Sequence, residues 1–122
     1  MSEDRKQVSA DFRSAVNMTA RQLEKWLGTD ESREVGYKTD GEGESVGHHS
    51  GRRIIEILGK KQGNRTEADL RHMAKVVGYV RRHLAQRPKG DVSETPWRYS
   101  LMNWGHDPTR VARPRRSARA RA

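Results

Sequence analysis

Apolar residues recur at helical intervals along the first part of the chain. Val8, Phe12 and Val16 follow one another every four residues, so they lie along one face of a predicted helix. In the next stretch, NMTARQLEKWLG, Thr19 and Gln22 have the spacing of a capping box and precede an apolar stripe. We therefore predict two amphipathic helices before residue 29.

Two further amphipathic stretches predict a helical hairpin. In SGRRIIEILGKKQG the isoleucines cluster on one side, and Gly63 is the predicted stop. A longer helix follows, with a cap at Thr66 and an apolar stripe that repeats as far as the breaker at Pro88. Since only two or three residues separate these helices, we predict an antiparallel hairpin over residues 51–86 whose apolar stripes face each other.

The stretch TPWRYSLMNW predicts a short last helix. Thr95 is a capping residue and is followed by proline at the first helical position. Trp97, Leu101 and Trp104 then present one apolar edge to the hairpin. No segment with strand periodicity is long enough to assign. The predicted fold is therefore a small all-α domain of four or five helices built around the antiparallel hairpin.

Two segments have too little apolar bulk to form a core. Residues 29–47 are acidic and rich in glycine, and we predict a mobile loop there. Residues 110–122 contain six arginines and no acidic residue, so burial cannot offset the entropy lost on ordering them. We predict a helical domain over residues 1–109 and a disordered basic tail over residues 110–122.

The composition excludes several classes of protein. A chain of 122 residues has the size of one domain. Because it has no cysteine, disulfide scaffolds, thiol nucleophiles and cysteine-ligated zinc are excluded. No apolar run approaches the roughly 18 residues of a membrane span, and the polar start MSEDRKQ is unlike a secretory signal. We expect a cytoplasmic protein that does not bind membranes.

The distribution of charge points to an acidic partner. The chain has 25 Lys and Arg against 16 Asp and Glu, but its first 47 residues hold ten acidic and only seven basic residues. On the long helix, Arg71, Lys75 and Arg82 fall close together and nearly opposite the apolar stripe. With Arg52 and Arg53 they predict contacts to nucleic-acid phosphates. The alternative for such a face is a solvated surface without a partner.

The arginine tail is a second candidate for DNA contact. Its ARPRR core resembles an AT-hook, although the glycine expected within that core is missing. Arg113, Arg115 and Arg116 are predicted to enter or follow a minor groove, and the alternative is a solubilising tail. The candidate DNA-binding residues of the tail are Arg110, Arg113, Arg115, Arg116, Arg119 and Arg121.

The segment SVGHHSGRR offers a candidate phosphate loop at the predicted start of the hairpin. Backbone N–H groups at a helix start are free to bind an anion, and Ser50 and Gly51 stand at that position. The alternative is a loop capped by Ser50. His48 and His49 are adjacent and lack the i, i+4 spacing of a metal-binding pair, so no metal site is predicted.

No set of residues in the sequence predicts catalysis. A histidine-based metal hydrolase would need His48, His72, His106 and Asp107 to converge, and their spacing does not imply this. We therefore predict a protein that is not an enzyme and needs no cofactor.

Four blocks in order carry a resemblance to a known family: NMTARQLEKWLGTDES, ESVGHHSGRRIIEIL, HMAKVVGYVRRHLAQRP and TPWRYSLMNWGHDP. Together they resemble domain-of-unknown-function family 3140, over roughly residues 8–108. The resemblance implies no particular activity, although members of that family are often labelled DNA-binding proteins. The arginine tail lies beyond the family body.

These observations lead to two expectations about function. The first is non-catalytic DNA binding with little sequence specificity, through phosphates and the minor groove, with RNA as the other nucleic acid to consider. Such a protein would associate with the nucleoid. The second is a helical protein-interaction module that docks a protein partner through Trp97 and Trp104 or through the acidic loop, with a tail for solubility or RNA contact.

Overall fold

A computed structural model of the chain describes residues 3–36 and 44–110. Within these two ranges the chain forms six α-helices and one 3-10 turn, without any strand, so the all-α prediction is confirmed. The helices are α1 (Glu3–Ala15), α2 (Ala20–Leu27), α3 (Asp30–Glu34), α4 (Val46–Leu58), α5 (Glu67–Leu84) and α6 (Pro96–Asn103), and the 3-10 turn is Gln62–Asn64.

Most of the helices begin at a serine or threonine whose side chain accepts a backbone hydrogen bond from the first turn. Thr19 and Thr66 form complete capping boxes with Gln22 and Asp69, and Thr95 caps α6 immediately before proline. These caps satisfy N–H groups that have no acceptor within the helix. The predicted starts of α2, α5 and α6 are confirmed.

Helix α3 corrects the prediction of an extended mobile loop over residues 29–47. Thr29 Oγ1 accepts a hydrogen bond from the backbone N–H of Ser32, which starts the helix at Asp30. The side chain of Ser32 is fully buried against α6, so tertiary contact stabilises a helix of only five residues. Residues 37–43 of the predicted loop lie outside the described residues.

Helix α4 begins and ends earlier than predicted. Its N-cap is Ser45, which accepts from the N–H of His48, and the helix ends at Leu58 rather than at Gly63. The glycines and serine that favour a loop in sequence are instead buried against other helices, and this burial overrides their low helix propensity. The connection to α5 is therefore residues 59–66, longer than the two or three residues predicted.

The core joins both halves of the chain. Helix α5 makes its most extensive contact with α1, and α4 makes its most extensive contact with α2. The predicted hairpin helices, α4 and α5, also touch, but through fewer residues. The largest fully buried apolar side chains are Phe12, Leu23, Ile54, Ile57, Met73, Val76, Val80 and Leu101.

The segment after α6 fastens the C-terminal helix to the α1–α2 connection. Gly105 ends the helix with a φ of 83°, in the left-handed region that favours glycine. Its carbonyl accepts from the N–H of Met18, and a β-carbon at Gly105 would lie 3.0 Å from Val16 Cγ1. Leu101 and Trp104 are buried in the core, as predicted for an apolar edge.

Candidate nucleic-acid interface

Three cations lie along one exposed stripe of α5. Arg71, Lys75 and Arg82 follow one another at helical spacing with Gly78 between them, on the side opposite the buried residues of α5. We call these three cations the basic ridge. All three are exposed, and among residues 3–36 and 44–110 none of them forms an ion pair with a carboxylate. The ridge therefore presents uncompensated positive charge to solvent.

Two carboxylates of the contact between α1 and α5 are bound by cations outside the ridge. Glu67, at the start of α5, pairs with Arg5 of α1. Asp11 of α1 lies 3.4 Å from Arg81, the neighbour of Arg82 on the adjoining face of α5. These pairs join α1 to α5 and at the same time keep two acidic groups from neutralising the ridge.

Arg52 binds a carboxylate, unlike the ridge cations. Its Nε and Nη2 each donate to Glu44 at 2.7 Å, in a bidentate pair. The bonds from Arg52, followed by that from His48, lower the pKa of Glu44 from 4.5 to about 2, against the opposing effect of burial. The other ring nitrogen of His48, Nε2, lies 2.8 Å from the carbonyl of Leu27. Arg52 is thus part of a polar clamp that holds the start of α4 to the end of α2.

Arg53 is held in a second ion cluster, around the buried Asp69. Its Nη1 lies 2.8 Å from Asp69 Oδ1, and Lys60 donates to Oδ2 at 2.7 Å. The backbone N–H of Thr66 also donates to this carboxylate, and Lys60 and Thr66 hold the pKa of Asp69 well below its usual value. Of the five cations predicted to bind phosphate from the helical domain, Arg52 and Arg53 are therefore paired with carboxylates.

The predicted phosphate loop at Ser50 and Gly51 is not at a helix start, and that part of the prediction is wrong. Both residues are buried in the second turn of α4, where their N–H groups belong to the helix. Ser50 Oγ lies 2.9 Å from His72 Nε2. A β-carbon at Gly51 would lie 2.7 Å from the carbonyl oxygen of Asn103, so this glycine permits α4 to pack closely on α6.

A column of four aromatic rings, which sequence reasoning missed, supports the side of α5 next to the ridge. Trp104 stacks between His72 and Tyr79 at centroid distances of 6.2 and 4.2 Å, and Tyr79 stacks on His83 at 4.4 Å. Residues 72, 79 and 83 are spaced so that they share one helical stripe, and this spacing is the sequence signal from which the column could have been predicted. Burial lowers the pKa of both His72 and His83. Arg53 and then Lys75 lower the pKa of His72 further, and Arg82 lowers that of His83 further.

The tryptophans predicted to dock a protein partner belong to this buried region. Trp104 is only 3% exposed. Trp97 is half-buried, and its Nε1 donates to the carbonyl of His83 at 2.7 Å. Of the large apolar side chains in the described ranges, Leu84 alone is exposed.

The residues of the hypothetical metal hydrolase have separate structural partners. His48 bonds to Glu44 and Leu27, and His72 lies against Ser50 and Trp104. His106 Nδ1 donates to the carbonyl of Ala15 at 2.7 Å, and Asp107 accepts two bonds from Arg98 at 3.1 Å. Within the part of the chain that the structure describes, no group of three or more potential metal-ligating side chains is found.

A family model described as a protein of unknown function (DUF3140) matches residues 11–102. The chain belongs to this family. The match contains the whole basic ridge, which is thus part of the DUF3140 body, whereas the arginine tail lies outside it. No curated protein matches the chain with significance, and no solved structure does.

Beyond the DUF3140 match, the structure describes the chain only as far as the first tail arginine. Arg110 is exposed, and its Nη1 donates to the carbonyl of Asn17 at 2.7 Å. The other candidate residues of the tail lie outside the described residues, namely Arg113, Arg115, Arg116, Arg119 and Arg121.

In the described portion of the chain, no helix is long and apolar enough to span a bilayer.

Proposed function

We propose that this DUF3140 protein is a non-catalytic DNA-binding protein that binds duplex phosphates with little sequence specificity. The observation that carries the proposal is the basic ridge of α5, three exposed cations without a carboxylate partner in the described structure. Two carboxylates of the neighbouring α1–α5 contact, Glu67 and Asp11, are paired with Arg5 and Arg81, and the ridge is a site for an external anion.

The dimensions of the ridge suit a phosphate backbone. Arg71 and Lys75 are separated by one helical turn, and Arg71 and Arg82 are about 16 Å apart along the helix axis at 1.5 Å per residue. A duplex carries one negative charge per about 1.7 Å of its axis, so a surface of this length faces several phosphates. Contacts of this kind fix the position of a protein on DNA but do not read sequence.

The arginine tail suits the minor groove of a DNA duplex in this proposal. An unfolded arginine segment fits a narrow minor groove, which B-form DNA provides in A-tracts. The minor groove of A-form RNA is wide and shallow, and its major groove is too narrow for side chains. We therefore expect Arg113, Arg115 and Arg116 to add minor-groove contacts to the phosphate contacts of the ridge, and such binding would place the protein on the nucleoid.

The proposal is tested by fluorescence anisotropy with a short labelled DNA duplex over a series of salt concentrations. A ridge variant of the full chain carries Arg71→Gln, Lys75→Gln and Arg82→Gln. If each cation neutralises one phosphate, this variant should have a slope of log K against log salt that is shallower by about 2.7. Replacing the six tail arginines with glutamine as well should make the slope of log K against log salt shallower by a further amount of about 5.

A matched variant controls for net charge. Arg21, Lys25 and Arg33 are exposed cations on α2 and α3, and their replacement with glutamine removes the same three charges from another surface. This control should retain nearly the full slope. If both triple variants lower affinity and slope equally, the ridge has no special role, and if the unmodified chain does not bind duplex DNA at low salt, the proposed function is wrong.

A further inference from the structure

Gly78 occupies a position in α5 that packing within the described structure does not explain. Glycine weakens a helix interior relative to alanine, so a glycine at this position calls for a reason. At Gly51 the reason is a close backbone neighbour on α6. At Gly78 the atoms within 4 Å of an added β-carbon are Nη1 and Cζ of Arg82, the mobile end of a long side chain. Space for another part of the described fold is therefore not the reason.

The location of Gly78 connects it to the basic ridge. It lies three residues after Lys75 and four before Arg82, on the same stripe of α5, and is itself partly exposed. The absence of a β-carbon makes a notch in the helix surface between these two cations, and the guanidinium of Arg82 lies across the notch, with Nη1 3.1 Å from the β-carbon position.

We propose that Gly78 is the point at which the DNA phosphate backbone makes its closest approach to α5, an inference that rests on the DNA-binding function proposed above. A phosphodiester group enters the notch between Lys75 and Arg82. The guanidinium of Arg82 moves off the glycine and pairs with the entering phosphate, for which its planar fork is suited. Lys75 binds the adjacent phosphate as a point charge.

The charges around the notch favour a phosphodiester over a helix of a partner protein. Arg71, Lys75 and Arg82 are all cationic, and the described stripe carries no apolar side chain that a partner helix could bury. An apolar seam is what helix pairing needs, whereas a small residue flanked by cations is what a close phosphate contact needs. The stripe meets only the second requirement.

The test measures thermal stability and DNA binding on the same full-length variants. Gly78→Ala should raise Tm by roughly 4 to 8 °C, because alanine is the better helix former. It should also weaken binding to a duplex about tenfold, or about 1.4 kcal/mol, because the methyl group holds the phosphate away. The slope of log K against log salt should stay unchanged, since no charge is removed.

Two controls isolate the close approach from other effects. Gly63 lies in the 3-10 turn with open space around it, so Gly63→Ala adds a methyl group away from the ridge and should leave DNA binding unchanged. The double variant Gly78→Ala with Arg82→Gln should still bind more weakly than Arg82→Gln alone. If Gly78→Ala still weakens DNA binding when the guanidinium of Arg82 is absent, the methyl group itself obstructs the DNA.

Three results would overturn the inference. If Gly78→Ala binds DNA as tightly as the unmodified chain, DNA binding stands and the close approach at Gly78 is wrong. If the loss disappears in the Arg82→Gln background, the methyl group acts only by displacing Arg82. If the unmodified chain binds no duplex DNA, the inference fails together with the proposed function.

Discussion

The most informative perturbation of the fold is the replacement of Asn103, which joins three helices through a buried amide. Its Oδ1 accepts from Trp26 Nε1 of α2 at 2.7 Å and from Ser32 Oγ of α3 at 2.6 Å. Its Nδ2 donates to the carbonyl of Ser32 at 3.0 Å. Asn103 and Ser32 are almost fully buried, so water cannot replace these bonds.

The expected loss follows from the polar groups that Asn103→Ala leaves without partners. The hydroxyl and carbonyl of Ser32 become unsatisfied in the interior, at about 1 to 3 kcal/mol each. The indole N–H of Trp26 adds less, because that side chain is only half-buried. We therefore expect unfolding free energy to fall by about 3 to 5 kcal/mol, a large part of the roughly 5 to 15 kcal/mol typical of a domain.

Urea denaturation followed by far-ultraviolet circular dichroism measures this loss. Ser32→Ala removes only one donor and should cost about 1 kcal/mol. Asn64→Ala is the matched control, because Asn64 is exposed in the 3-10 turn, and it should change stability by less than about 0.5 kcal/mol. A loss below about 1 kcal/mol for Asn103→Ala would show that the amide network does not hold α3 to α6.

Two other predictions concern packing and pH. Gly51→Ala should lower the free energy of unfolding by about 1 to 3 kcal/mol, since its β-carbon would meet the Asn103 carbonyl and Leu27 Cδ2 at 2.7 and 2.8 Å; an unchanged thermal melt would contradict this packing. Because the pKa of Glu44 is lowered from 4.5 to about 2, its contribution to stability is present above pH 4.5 and lost as the pH falls towards 2. Glu44→Gln should make Tm depend less on pH in that window, and an unaltered dependence would show that the clamp with Arg52 contributes nothing.

The accuracy of the sequence predictions varied with the range of the interactions involved. The caps at Thr19, Thr66 and Thr95 were predicted correctly because each depends on a residue three positions further on. The start of α4 was misplaced, although Ser45 is a good N-cap residue, because the following glycines and serine favour a loop locally. In the folded protein these residues belong to α4, because they are buried against α2, α5 and α6.

The candidate site shows the same difference between features set within one helix and features set by contacts outside it. Helical periodicity alone placed Arg71, Lys75 and Arg82 together on the exposed side of α5. Periodicity could not show that Arg52 and Arg53 bind Glu44 and Asp69, because those carboxylates lie outside the helical repeat that carries the arginines.

The sequence by itself thus determined the helical class, most helix starts and the basic ridge, since caps and amphipathic faces arise from residues within one or two helical turns. Only the tertiary structure decided the short α3, the burial of Ser50, Gly51 and Trp104, and which cations remain unpaired. The physical reason is that these features depend on partners outside the helix that carries the residue. The bond between Ser32 and Asn103, for example, spans 71 residues and forms only when α3 and α6 meet.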